Sequence, residues 1–209
     1  MVYRAKGMYG DESVAASYDT ARFTTWRGRL VDRLEKRLVV RALELAPPGA
    51  RVLDVPVGTG RMTRLMTSRG YDVVGADVSL AMLRQALVRG GGAPLLLADA
   101  EQLPFPTGAF DALMAVRLMF HVPPSIRVKM LAEFKRVSRD LVVVGYANTW
   151  TLGSAIRRLS AGRGPRYIYP ASRSEIIGEA ERAGLRVVGD WPLLLFSASS
   201  HFFALRPAE

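Results

Sequence analysis

The residues best placed to meet a ligand lie in Val52-Leu53-Asp54-Val55-Pro56-Val57-Gly58-Thr59-Gly60-Arg61. A β-rich run ends there in small residues, which let backbone approach a ligand closely, and the helix that follows offers free N–H groups at its start. A dinucleotide fingerprint beginning at Gly58 needs a third glycine at position 63, where Thr63 stands, so hydride-transfer cofactors lose support. Seventeen residues after Gly60, Asp77 closes a second β-rich run. A carboxylate at that place in a nucleoside-binding α/β fold accepts the hydroxyl hydrogens of a ribose. The plainer alternative is an ordinary loop aspartate. Another carboxylate, Asp99 in Leu97-Ala98-Asp99-Ala100, ends a third run, placed to accept a bond from an adenine amino group.

Composition narrows the chemistry further. The 209 residues include no cysteine and two histidines, His121 and His201. This removes disulfides, thiolate zinc sites, iron–sulfur clusters and cysteine nucleophiles, and with so few histidines no metal is expected. Hydrophobic residues at 49% and charged residues at 23% are those of a globular chain and exclude global disorder. Met1 to Ser13 lacks an apolar signal core, and runs such as Leu141–Val144 and Leu193–Phe196 fall far short of the ~18 residues of a membrane span. A soluble, cytoplasmic protein is the expectation. The net charge of +10 fits a solvated basic surface, an anionic substrate, an anionic membrane or nucleic acid, and does not choose among them.

The elements that must position these residues follow from periodicity. Phe23, Trp26, Leu30, Leu34, Leu38, Ala42 and Leu45 recur at helical steps, so one amphipathic helix is expected from Phe23 to Leu45, with Asp32 and Lys36 paired and Pro47-Pro48 ending it. An alternation then begins. Strands are expected at Arg51–Val55, Tyr71–Ala76, Leu95–Ala98, Phe110–Val116 and Leu141–Tyr146. Helices separate them at Arg61–Ser68, at Leu80–Arg89 and after Pro123-Pro124, where Ile126, Met130, Phe134 and Val137 form the buried side. Ser172 to Glu175 has capping-box spacing, Gly184 suits a helix C-terminus, and Leu185–Val188 and His201–Leu205 complete the strands. Such alternation indicates a doubly wound α/β sheet, mostly parallel, which binds ligands at the carboxyl ends of its strands. Residues 1–209 form a single domain in this reading. Residues 1–46 are an N-terminal helical cap. Residues 147–171, holding Arg157, Arg158, Arg163, Arg166, Trp150, Tyr167 and Tyr169 and no acid, are a substrate-facing insertion; a surface excursion is the alternative.

Val52–Thr63, Gly75-Ala-Asp77-Val-Ser79-Leu-Ala-Met82-Leu, Ala98-Asp99-Ala100-Glu101-Gln-Leu-Pro104-Phe-Pro106 and Phe110-Asp111-Ala112, in that order, resemble the class I S-adenosylmethionine-dependent methyltransferases. The likeness is greatest to their small-molecule and quinone- or lipid-pathway branch. It implies the Rossmann-like methyltransferase fold, with seven strands and the last one antiparallel. Its cofactor would be S-adenosylmethionine, with S-adenosylhomocysteine as product. Carried over, it places Asp54, Pro56, Gly58 and Gly60 around the methionine part and makes Asp77 the ribose ligand. Val78 and Met82 flank the adenine, Asp99 and Ala100 read its amino edge, and Tyr9 and Tyr18 match a lid. Tyr18 as a packed helix residue is the alternative. Two positions depart from the family. Pro56 replaces the first small residue of the loop and offers no N–H, and Arg117 in Val116-Arg117-Leu-Met-Phe-His121 stands where relatives often carry a small polar residue.

Methyl transfer from a sulfonium needs in-line alignment, and a general base only if the acceptor must shed a proton. His121 is the candidate base, or else a packed histidine. An arginine beside a cationic sulfonium must pair with an anion. Arg117 therefore holds the cofactor carboxylate, an acidic acceptor, or a structural carboxylate. A small-molecule or lipid-like acceptor, acidic in one version, is expected, with peripheral membrane contact compatible. The alternatives are an RNA methyltransferase acting on ribose or ring nitrogen, and a non-catalytic S-adenosylmethionine-binding protein. Against nucleic acid, Ala115-Val116-Arg117-Leu118 stands where amino-group methylation of bases uses Asn/Asp-Pro-Pro-aromatic, and no cysteine is present for carbon-5 chemistry.

Overall fold

In the computed structural model, which describes residues 11–147, 168–194 and 199–208, β1 (Arg51–Asp54) sits within a seven-stranded sheet of order β3-β2-β1-β4-β5-β7-β6. The other strands are β2 (Asp72–Asp77), β3 (Leu95–Leu97), β4 (Phe110–Ala115), β5 (Ser138–Ala147), β6 (Leu185–Leu194) and β7 (Ser199–Pro207). β1 pairs in parallel with β2 and β4, β2 with β3, and β4 with β5; β7 runs antiparallel to both β5 and β6. The last two strands are longer than their apolar runs. Pro192, a residue that argues against a central strand, is accommodated because β6 lies at the sheet edge.

Helices cover both faces. They are α1 (Glu12–Phe23), α2 (Trp26–Leu43), α3 (Arg61–Thr67), α4 (Leu80–Val88), α5 (Pro124–Val137) and α6 (Arg173–Arg182). Alternate residues of each strand point to opposite faces. Val52 and Met114 join Val39, Leu43, Met62 and Met66 beneath α2 and α3. Leu53 and Leu113 join Met130, Phe134, Ile176 and Ala180 beneath α5 and α6. Phe134 is fully buried, so truncation to Ala would cost about 3–5 kcal/mol. At α6 the capping box is complete, with Ser172 and Glu175 bonding each other's backbone N–H groups. Gly184 follows at φ +72°.

The N-terminal cap corrects one expectation. Phe23 and Leu45 do not bound one helix: α1 ends at Phe23, and Thr25 caps a new helix by accepting the Gly28 N–H at 3.0 Å. The corner is tight, since a Cβ on Gly28 would lie 2.1 Å from the Arg22 carbonyl oxygen. The buried stripe also differs. Glu35, Val39, Ala42 and Leu43 face inward, whereas Trp26 is 64% exposed and Leu45 39%. Only the C-terminal half of α2 lies on apolar sheet residues, leaving its first turns to face the carboxyl edge of the sheet and solvent.

Candidate active site

A cleft opens at the carboxyl ends of β1, β2 and β4, where the strand order turns back on itself, the place where open α/β sheets take ligands. It encloses about 830 Å³, counting its open mouth. Of the residues singled out in the sequence, Tyr18, Asp54, Pro56, Gly58, Asp77, Val78, Met82, Arg117 and His121 line it. Gly60, Asp99 and Ala100 are not among its lining residues. Gly60 starts α3 at φ +75°, Ala100 belongs to the core cluster of Leu53 and Leu113, and Asp99 Oδ1 accepts the Glu101 N–H at 3.0 Å. Tyr9, Trp150, Arg157, Arg158, Arg163, Arg166 and Tyr167 lie outside the described residues. The return end of the 147–171 segment is described: Tyr169 N–H donates to the Phe120 carbonyl at 2.7 Å, beside His121.

The wall made by β1 and β2 is built from carboxylates and backbone. Asp77 is 4% exposed; its Oδ2 accepts the Gly58 N–H at 2.8 Å and its Oδ1 the Ser79 N–H at 2.9 Å. Gly58 takes φ +55°, a conformation that side-chain-bearing residues rarely adopt. Below the loop, a Cβ on Gly75 would meet Val57 and Leu95 at 2.7 Å, so glycine in β2 lets the loop lie directly against the sheet. Val57, not Pro56, donates the N–H that ties the loop to Ala76, at 2.8 Å. The proline therefore costs the loop no sheet bond. Burial pushes the Asp77 pKa up despite its N–H partners. Asp54 lies deeper. Its carboxyl is 1% exposed and accepts the Thr63 hydroxyl at 2.6 Å. Burial, helped by the Asp77 charge and opposed by the Thr63 bond, raises its pKa to about 7. Thr63, which broke the dinucleotide pattern, thus binds the deepest carboxylate of the site.

The facing wall, from β4 and α2, is built from guanidiniums. Arg117 follows β4 at φ +61°, the one positive φ on a non-glycine among the described residues. Such strain persists where surroundings over-determine it. Here they are Glu35, 1% exposed, whose two oxygens take Arg117 Nε at 3.1 Å and Nη2 at 2.8 Å. Arg61 Nη2 reaches the same carboxylate at 2.8 Å, and Arg61 also pairs with Asp32. The Phe23 ring lies under both, with guanidinium carbons 4.6 Å (Arg61) and 5.3 Å (Arg117) from its centroid. The anion that meets Arg117 in the structure is thus a structural carboxylate, while the side chain still lines the cleft. Glu35, Asp32 and Arg61 were missed as site residues. A signal existed, because Glu35 is the lone acid on the Val31–Val39–Ala42 helical face.

The roof is α1. Thr59 Oγ1 donates to Asp19 at 2.9 Å, Arg89 pairs with Asp19, and Ala15 packs on Ala81 and Met82 with Tyr18 beside them. His121 ends a 3₁₀ turn (Met119–His121), 8% exposed, its ring 4.5 Å from that of Phe120.

Residues 52–140 match a family model described as a methyltransferase domain. Residues 52–140 are thus a methyltransferase domain, and the chain has the Rossmann-like fold of the class I S-adenosylmethionine-dependent methyltransferases. It is 37% identical over 133 residues to a demethylmenaquinone methyltransferase of Beutenbergia cavernae, covering 64% of this chain and 52% of that one. A ubiquinone/menaquinone biosynthesis C-methyltransferase of Burkholderia vietnamiensis is 31% identical over 151 residues, 66% of this chain and 59% of its own. The chain thus spans just over half the length of these methyltransferases. In fold it is similar to a magnesium protoporphyrin IX methyltransferase of Synechocystis with bound SAH, at a TM-score of 0.78 and 17% identity over 94% of this chain and 98% of that one. Among the described residues no helix is long and apolar enough to cross a membrane.

Proposed function

We propose that residues 1–209 work as one methyltransferase unit that moves a methyl group from S-adenosylmethionine to a small-molecule or lipid-like acceptor, quinone-like in class. The observation that carries this is one crevice lined by the Gly58 loop, Asp54 and Asp77, in a chain similar to quinone-pathway methyltransferases. The residues suit the cofactor on their own chemistry. Asp77 is an ionisable acceptor at a strand end, suited to ribose hydroxyls, with Val78 and Met82 as apolar flanks for adenine. Asp54 is a buried carboxyl whose charge is costly alone and would be offset by the ammonium of an amino acid.

When bound, S-adenosylmethionine supplies a methyl group on a cationic sulfur and is left as S-adenosylhomocysteine. The chain's part is alignment. Asp54 and the Gly58–Gly60 loop hold the methionine part, and Tyr18 on α1 closes the roof. Asp99 and Ala100, which stand outside the cleft lining, meet the adenine edge in this reading. Arg117 is held by Glu35 and presents positive charge to an acidic acceptor or to the cofactor carboxylate. His121 takes a proton where the acceptor must lose one. S-adenosylmethionine is a metabolite of the cytoplasm, and the proposed place of action is there.

The test is incubation with methyl-labelled S-adenosylmethionine and separate extraction of lipids, small metabolites and RNA. Label in a lipid or metabolite is expected. Label in transfer or ribosomal RNA would overturn the acceptor class. If S-adenosylhomocysteine binds but no fraction carries label, the protein is a binder and not an enzyme.

A further inference from the structure

The basic residues of α2 are not spread evenly. Arg29, Arg33, Arg37 and Arg41 follow one another at steps of four along its outer face, and Lys36 and Arg69 stand beside them around one surface groove. Six cations there meet two acids, Asp32 and Glu44, so a large share of the chain's net +10 gathers on one helix face. Asp32 is already engaged by Lys36 at 2.8 Å and by Arg61. Among the described residues Arg33, Arg37 and Arg69 have no carboxylate partner. Like charges four residues apart destabilise a helix, and a sequence that needed only solubility could have alternated their sign. The row also carries an indole. Trp26 lies seven residues, two helical turns, before Arg33, hence on nearly the same azimuth. It is 64% exposed, with the Arg27 guanidinium carbon 5.2 Å from its ring.

We propose that this outer face of α2 docks the protein on an anionic phospholipid bilayer, the arginine row meeting headgroup phosphates and Trp26 entering the interfacial layer. Arginine suits phosphate by geometry as well as charge, and tryptophan is the residue that settles where an apolar ring must keep one polar edge wet. Charge complementarity carries the choice of partner, and the exposed indole favours a bilayer over a nucleic acid. The apolar stripe of α2 is already spent on the core, so the helix lies against the surface by charge and one ring and does not insert. The docking face is continuous with the cleft, because Asp32 borders the groove and also holds Arg61, a cleft residue. An acceptor carried in a bilayer would therefore meet the cleft at the edge of the contact. The inference stands on the surface of α2 and adds a place of action to the proposed function without requiring it.

The experiment is co-sedimentation of the full chain with vesicles of phosphatidylglycerol and phosphatidylcholine, compared with pure phosphatidylcholine, across a salt series. Binding to the anionic vesicles alone, falling as salt rises, is expected. The double variant Arg33→Gln/Arg37→Gln should weaken it roughly 30-fold, since two surface cations are lost, and Trp26→Ala should weaken it as well. Calorimetric titration with S-adenosylhomocysteine should be unchanged in both variants, which separates a failure of docking from a failure of the cofactor site. Equal binding to both vesicle types, or full vesicle binding by the double variant, would overturn the proposal. So would tight, salt-sensitive binding to an RNA oligonucleotide that the double variant loses while vesicles are ignored, since the row would then be a nucleic-acid face.

Discussion

On the β1–β2 wall of the cleft, Asp77 is braced by the N–H groups of Gly58 and Ser79, nineteen and two residues away in sequence. On the β4–α2 wall, Arg117 is braced by Glu35, eighty-two residues away, which also holds Arg61. The first arrangement is a property of one βαβ unit. Its acceptor is a side chain, but its donors are backbone groups that any sequence with the same turn provides. The second depends on two side chains brought together by the docking of α2, with both charges largely out of water. The carboxylate wall should therefore tolerate local change with modest loss, whereas the guanidinium wall should fail as a unit.

The largest expected effect tests that difference. Removing one partner of a buried ion pair leaves a charge poorly compensated, so Glu35→Ala, which takes this carboxylate from Arg117 and leaves Arg61 its pair with Asp32, should lower stability by about 3–5 kcal/mol in urea denaturation. A loss below about 1 kcal/mol would mean that the guanidiniums find water, and the contrast between the walls would break. Asp77→Ala should weaken S-adenosylhomocysteine binding by roughly 1.5–3 kcal/mol by calorimetry, the range for hydrogen bonds to a charged group. Unchanged affinity would place the ribose elsewhere. Arg117→Met keeps bulk and removes charge. If Arg117 serves the acceptor, turnover should fall roughly tenfold to a hundredfold with cofactor affinity held. A parallel drop in affinity would assign it to the cofactor carboxylate, and no change in either would leave it only the role of pairing Glu35.

Asp54 sharpens the picture of the carboxylate wall through pH. Its pKa in the folded protein is raised from 3.8 to about 7, so between these values the folded state binds the extra proton. The ligand-free protein should then lose stability as pH rises from about 4 to 7, by up to roughly 1.4 kcal/mol per unit, and level off above 7. Melting curves from pH 4.5 to 8 should show this slope in the wild type and lose this contribution in Asp54→Asn. A wild-type slope unaltered by the substitution would show that Asp54 ionises without cost. The smallest effect belongs to the roof. Thr59→Val removes the bond to Asp19 and should cost about 1 kcal/mol of stability, measurable as a small fall in melting temperature.

Most of the carboxylate wall was legible in the sequence. Asp54, Gly58 and Asp77 sit at strand ends, and period-two apolar runs bounded by glycine mark strand ends without reference to the rest of the chain. The antiparallel setting of the last strand needed the family resemblance, and the strand order came only from the structure, because seven short runs do not say which neighbour each will choose. The split of the N-terminal cap was legible only in part. Apolar periodicity from Phe23 onward continues through Thr24-Thr25, yet Gly28 lets the chain turn a corner against Arg22 that periodicity cannot register.

Sequence alone determined the positions of the strand ends, the carboxylates they carry and the family they imply, since these rest on local backbone preference and on spacing within single βαβ units. Tertiary structure decided the rest. It chose which face of α2 turns inward and so buried Glu35; it bent Arg117 to φ +61° to meet that carboxylate; and it left four arginines and Trp26 facing outward. The physical reason is that a charge's partner is chosen by burial and distance in space. Arg117 and Glu35 lie on elements that meet only once α2 has packed on the sheet, and no local pattern in either segment encodes that encounter.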